Sequence, residues 1–361
     1  MSFSTYCLLF TAYPLYAIPY TLYAYAMRIF LLLLLLLTAY PAMAANHAVI
    51  IMYHRFGEDN YPSTNIGLDQ FAQHIQILQT EGFTILPLPD IIAAIENGKE
   101  LPDKTVGITI DDAALSVYTA GWPIFLKHRL PFTLFVTTDD IDRGSKYYMN
   151  WDQLRELRDS GLVTIGNHST SHPSFAKITP LQIAQELSQA RQRFITELGA
   201  APELFAYPYG EFSTAAQNAV KKFGFAYAFG QHSGVYDRNA DALAIPRFAL
   251  NENYGAASRF RQAASALALP ISGLTPSDAL QPLSPTEISF TLEQTALGKN
   301  LSCFLSELGQ AELRQDGARI TASLPNPWGP GRQRINCTAP TSQGRYYWWG
   351  TQYVIAPPSP Q

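Results

Sequence analysis

Cysteine is scarce in this chain: 361 residues carry only Cys7, Cys303 and Cys337. Charge is scarce too, at 15% Asp, Glu, Lys and Arg with a net charge of -4. No basic block is present, which argues against nucleic acid as a partner. Internal repeats and long polar low-complexity insertions are also missing. What remains is a globular chain, 12% aromatic, with room for one large domain and a small one.

A long hydrophobic run is missing as well. The uninterrupted apolar stretch Ile29 to Leu37 is too short for a comfortable membrane span. Met27-Arg28 precedes it and Ala42-Met43-Ala44 follows, the pattern of a secretory signal peptide cleaved near Ala44. Residues 1–44 are therefore read as the signal region, with Met27 as the start and the Tyr-rich residues upstream as a start-site artefact. A competing reading is an uncleaved anchor, which would be the chain's only tie to a membrane. Export to the periplasm or beyond removes Cys7 and leaves two cysteines, which favour one disulfide, Cys303–Cys337, over a metal site. A loop of that length stabilises by roughly 3–4 kcal/mol in the chain-entropy model.

Apolar runs and helical periodicities alternate from Ala48 to Leu250. Strands are predicted at Ala48–Tyr53, Phe83–Leu86, Val106–Ile110, Phe132–Val136, Leu162–Gly166, Leu204–Tyr207, Phe225–Phe229 and Ile245–Leu250. Helices are predicted between them, among them Leu68–Gln79, Leu115–His128, Trp151–Asp159, Ser213–Phe223 and one opened by Thr179-Pro180-Leu181-Gln182, a capping-box start. Such alternation implies an α/β architecture with parallel strands. Polar groups gather just past the strand C-termini: His54, Asp111-Asp112, His168 with His172, and Tyr207 to Gly210. In α/β barrels that rim carries the chemistry.

Asp111 and Asp112 end a strand that reads as buried. Adjacent carboxylates there repel one another and lose solvation, unless a cation takes one as ligand and leaves the other as base. His168 and His172, four apart on a turn, can deliver two imidazoles to one side. With Asp112 they form a set of two histidines and one carboxylate that leaves coordination positions open. His47, His74, His128 and His232 are read as incidental.

Past Pro270 the composition changes. Residues 271–285 read as linker, and residues 286–361 as a small β-rich domain with the disulfide, after a 45–270 barrel. Tyr346-Tyr347-Trp348-Trp349 with Trp328 is read either as core or as a sugar-stacking platform.

Thr109-Ile110-Asp111-Asp112 and His168-Ser169-Thr170-Ser171-His172-Pro173 resemble the first two motifs of the polysaccharide deacetylase family, the NodB-homology or family 4 carbohydrate esterases. Phe205-Ala206-Tyr207-Pro208-Tyr209-Gly210 looks like the third. The resemblance implies a deformed (β/α)7 barrel that removes N-acetyl groups from an amino-sugar polysaccharide: poly-N-acetylglucosamine, chitin-like or peptidoglycan-like. It implies Asp111 as general base, and Asp112, His168 and His172 as ligands of Zn2+, with Co2+ or Ni2+ as substitutes. It further implies Tyr207 and Tyr209 as substrate and oxyanion contacts, with a backbone N–H near Tyr209 as the oxyanion donor. Tyr207 stands where the family usually has Arg, Ala113 where it usually has Gly, and the fourth and fifth motifs are not found. Met52-Tyr53-His54-Arg55 resembles the poly-N-acetylglucosamine deacetylase branch, which implies His54 as catalytic acid. Two further readings stand beside this one: a catalytically weak or inactive carbohydrate-binding protein that keeps the metal site, and an amidohydrolase acting on a small imide or purine-type substrate.

Overall fold

The apolar runs become the strands of one curled, mostly parallel sheet. The computed structural model describes residues 44–358, so the signal-peptide reading and Cys7 lie outside the described residues. The strands are β1 (His47–Tyr53), β2 (Thr105–Asp111), β3 (Phe132–Val136), β4 (Val163–Asn167), β5 (Leu204–Ala206), β6 (Tyr227–Phe229), β7 (Val235–Asp237) and β8 (Phe248–Ala249). Their order is β6-β5-β4-β3-β2-β1-β7, with β8 also pairing with β1.

Every residue of β2 is buried, as a parallel strand covered on both faces must be. Alternation along β1 sends Val49, Ile51 and Tyr53 into one apolar cluster and Ala48 and Ile50 into another. The first cluster takes Phe71, Ile75 and Leu78 from helix α1 (Leu68–Thr80). The second takes Leu88, Ile91, Ile92 and Ile95 from α2 (Leu88–Glu96).

The edges of the sheet approach each other through residues 245–249. Ile245 bridges in parallel to Phe229 on β6, and Phe248 and Ala249 pair with Ile51 and Met52 on β1. This short seam turns the open sheet into the deformed barrel that the family resemblance implies.

Further helices include α3 (Trp122–His128), α4 (Trp151–Asp159), α5 (Pro180–Leu198), α6 (Thr214–Phe223) and α7 (Ala257–Ala264). Thr179 caps α5, its hydroxyl accepting from the Gln182 N–H. The helix predicted over Leu115–His128 instead starts as a π-helical turn, Val117–Gly121, before α3.

The C-terminal residues fold as two packed sheets. One contains β9 (Ile271–Thr275), β10 (Glu287–Leu292), β12 (Glu312–Asp316) and β13 (Arg319–Ser323); the other is built on β11 (Ser302–Leu305), β14 (Gly331–Pro340) and β15 (Tyr346–Ile355). Both enclose one apolar core with Ile288, Phe290, Ile320 and Ile335. Cys303 and Cys337 sit opposite each other on β11 and β14 and form a disulfide within that core. The stretch 271–285, read above as linker, holds β9 and a further short strand at Leu280–Gln281. Nor does the aromatic cluster form a platform: Trp328 and Trp348 are buried, Trp349 packs on Phe290, and Trp348 meets Phe248 of the barrel edge-on at 5.1 Å. Arg345 adds an ion pair to Asp103, its Nη1 donating to both carboxylate oxygens at 2.9 and 3.0 Å. The β unit is thus joined side by side to the barrel.

Candidate metal and catalytic site

β2 delivers Asp111 at its last position and Asp112 just beyond it. The chain then turns through left-handed backbone, with φ of 74° at Asp112 and 59° at Ala113. Ala113 is fully buried there, in a conformation that costs a non-glycine residue about 1–2 kcal/mol. That is the physical reason the position suits Gly.

β4 ends one residue before His168. The turn that follows carries Ser169 and His172 at φ of 71° and 60°, and Glu186 of α5 organises it. The Glu186 carboxylate accepts from the N–H groups of Thr170 and Ser171 at 3.0 and 2.8 Å and from the Ser171 hydroxyl at 2.6 Å. A half-buried carboxylate thereby replaces the missing backbone partners of a strained turn.

The turn brings His168 and His172 to Asp112. The Nε2 atoms of His168 and His172 lie 3.5 and 3.4 Å from Asp112 Oδ1 and 3.2 Å from each other. All three ligand atoms fall within 4.8 Å of one another. His168 Nδ1 donates to the Ala206 carbonyl at 2.7 Å, which leaves Nε2 as a bare lone pair facing the other two groups. Two ring nitrogens and a carboxylate oxygen converging this closely need positive charge between them. These donors suit a divalent cation.

Burial pulls the Asp112 carboxyl upward, yet its contact with His168 and the neighbouring His54 and His172 hold it well below the usual carboxylate range. Burial, seconded by the His168 charge, pushes His172 down to about 4. His168 is raised: burial opposes its protonation, but Asp112 and Asp111 more than offset it.

Asp111 has a partner that the sequence did not disclose. Arg247, on the closing seam, donates from both terminal nitrogens to the two Asp111 oxygens at 2.7 and 2.8 Å. Its Nε donates to the Gly230 carbonyl at 2.9 Å, and both side chains are wholly buried. Burial alone would raise the Asp111 pKa; the charges of Arg247 and then His168 reverse it, so the carboxyl lies below its ordinary value. The only hint was an absence, the missing Arg at position 207.

Tyr207 is a core residue. It is fully buried, packed against Phe205, Phe212 and Phe175, so its expected contact with substrate is corrected. Its neighbour Tyr209 is 43% exposed, and its ring meets His172 edge-on at 4.4 Å. His54 follows the C-terminal end of β1, half-buried, close enough for its charge to act on both aspartates. Of the expected site residues, then, Asp111, Asp112, His168, His172, Tyr209 and His54 share one rim, and Tyr207 does not. His74, read as incidental, is buried, with Nδ1 2.9 Å from the Tyr53 hydroxyl and Nε2 2.8 Å from the Gly255 carbonyl.

Comparison with known proteins gives a consistent picture. Residues 98–228 match the sequence profile of the family described as polysaccharide deacetylase. Poly-beta-1,6-N-acetyl-D-glucosamine N-deacetylase of Staphylococcus aureus strain N315 is 22% identical over 235 residues, 58% of this chain and 80% of that protein. The structure of IcaB from Ammonifex degensii superposes with a TM-score of 0.53 at 26% identity, over 62% of this chain and 98% of that one. The Streptococcus pyogenes deacetylase PplD in complex with acetate gives a TM-score of 0.56 at 20% identity, over 62% of this chain and 99% of that one, a likeness of fold.

Proposed function

This chain belongs to the polysaccharide deacetylase family, a family of deacetylase hydrolases, and from that premise we propose that it is an exported, metal-dependent enzyme that removes N-acetyl groups from an amino-sugar polysaccharide. The observation that carries the reading is the pairing of two carboxylates in different states of engagement. Asp112 faces the two imidazoles, while Asp111, one residue before it, is held ionised by Arg247.

Asp112, His168 and His172 would hold the divalent cation, Zn2+ foremost with Co2+ or Ni2+ as substitutes. A bound cation supplies Lewis acidity toward the acetamide carbonyl and acidifies water at neutral pH. Asp111 accepts the proton of the attacking water, because its lowered pKa keeps it anionic and the Arg247 clasp fixes its aim. The Tyr209 N–H is the donor for the oxyanion that develops on the carbonyl. His54 gives a proton to the departing amine, so that water and acetamide become acetate and free amine.

The similarity to the poly-beta-1,6-N-acetyl-D-glucosamine deacetylase of Staphylococcus aureus favours a β-linked N-acetylglucosamine polymer as substrate. The Cys303–Cys337 disulfide suits an oxidising compartment, periplasmic or extracellular. Acetate release from acetylated chito-oligosaccharides and from poly-N-acetylglucosamine, with Zn2+ present, tests the reading. The expected result is release by the native protein and loss of at least a hundredfold in Asp111→Asn; equal release by both would end the assignment.

A further inference from the structure

The rim loop that carries Tyr209 is held from outside the barrel. Tyr209 and Gly210 are both left-handed, with φ of 60° and 65°. A Cβ at Gly210 would lie 2.4 Å from the Gln231 backbone nitrogen, so the turn is pressed against the loop after β6. Consecutive left-handed residues persist only where their surroundings over-determine them.

Those surroundings are β14 and β15 of the C-terminal unit. Arg332 on β14 donates to the Tyr209 carbonyl at 3.0 Å, lies 3.6 Å from the Glu211 carboxylate and sits 5.9 Å over the Tyr209 ring. Gln352 on β15 donates to the Gly210 carbonyl at 3.0 Å, and its own carbonyl accepts from Arg334 Nε at 3.1 Å. Gln352 stands opposite Arg334, and Arg332 lies two residues along the same strand, so all three project from one face. Gly350 on β15 comes so near that a Cβ would stand 2.6 Å from the Ser233 carbonyl.

We infer that Arg332 and Gln352 are positioning residues for the deacetylase site. They hold the Tyr209–Gly210 turn, whose ring abuts His172 and whose N–H is the oxyanion donor proposed above. The β unit is therefore a working wall of the active site and not a separate sugar-binding module. This rests on the deacetylase reading above. It also explains why the tryptophans of the unit turn inward: the face that matters is the one against the barrel.

The test uses the full chain and the variants Arg332→Ala, Arg332→Lys and Gln352→Ala. Hydrogen exchange of the 207–212 segment, Zn2+ affinity by chelator competition and kcat with KM on acetylated chito-oligosaccharides are read together. Arg332 is partly exposed, so Arg332→Ala keeps the fold. The expected result is faster exchange confined to 207–212, kcat lower by roughly ten- to a hundredfold as for a misplaced group, KM within about twofold, and partial recovery in Arg332→Lys. Unchanged exchange in 207–212, or kcat within about twofold of native in both alanine variants, overturns the inference. A native protein that releases no acetate instead refutes the deacetylase reading. The positioning role is then decided by exchange and Zn2+ affinity alone, and no change in either overturns it.

Discussion

Arg247 and Asp111 meet end to end, two guanidinium nitrogens on two carboxylate oxygens at 2.7 and 2.8 Å, and solvent touches neither side chain. Removing one partner of such a buried pair strands the other charge, at a cost of about 3–5 kcal/mol. Arg247→Gln should therefore lower stability and raise the Asp111 pKa. The sign follows from the proton count: a carboxyl lowered in the folded state stabilises above its unfolded pKa, and that stability is lost as pH falls through the folded value. In the variant the acidic limb of the pH–rate profile should move to higher pH, with kcat reduced by at least tenfold. A profile that keeps its acidic limb in place would detach Arg247 from the base.

Metal binding should stabilise the native protein by mass action. At a free Zn2+ concentration a hundred times Kd the gain is about 2.7 kcal/mol. Thermal unfolding of chelator-treated protein should shift upward on adding Zn2+. The same addition should leave Asp112→Asn and His168→Ala unmoved. An equal shift in Asp112→Asn would place the ion elsewhere.

Glu186 lies outside the ligand set, yet it holds the turn between the two histidines through the Thr170 and Ser171 amides. Glu186→Ala should weaken Zn2+ binding by roughly ten- to a hundredfold, the range typical of residues that orient ligands. Isothermal titration checks this, and affinity equal to native would show that the turn holds itself.

His74 provides a pH dependence separate from the chemistry. Burial lowers its pKa from 6.5 to about 4, against a smaller raising effect of the Gly255 carbonyl. The unfolded chain takes up a proton below 6.5 while the folded one resists until about 4. Stability therefore falls across that window, by about 3 kcal/mol at its end. Urea unfolding at pH 7 and pH 4.5 should show a smaller loss for His74→Gln than for the native protein. Equal losses in both would assign the acid sensitivity to other groups.

Cys303 and Cys337, separated by 34 positions, should contribute roughly 3–4 kcal/mol by restricting the unfolded chain. The double variant Cys303→Ser with Cys337→Ser should melt lower, and denaturant titration gives the difference. Thiol titration of the native protein that finds two free thiols would remove the bond altogether.

The site was legible where its members are local. Asp111 with Asp112, and His168 with His172, each declare themselves inside six residues at the end of an apolar run, because strand ends leave side chains at the rim. Arg247 is 136 positions from its partner, and nothing in its neighbourhood marks it. Only the closing of the sheet brings it there. Tyr207 was misread for the converse reason: its motif suggests the rim, but its backbone position turns the ring inward among phenylalanines. In the β unit, β12 escaped notice because Glu312-Leu313-Arg314-Gln315-Asp316 is an edge strand that is mostly exposed, with little apolar alternation to read. Residues 271–285 look like linker by composition, since Pro and Ser report flexibility only where no neighbouring strand offers hydrogen bonds.

The seam at residues 245–249 joins the two sheet edges through one isolated bridge and a two-residue pair. So slender a clasp gives way under milder stress than the strands it connects. Because Arg247 rides on it, any such breathing frees Asp111 from its clasp before the barrel itself comes apart. Heat or denaturant should thus silence turnover while circular dichroism still records a folded protein.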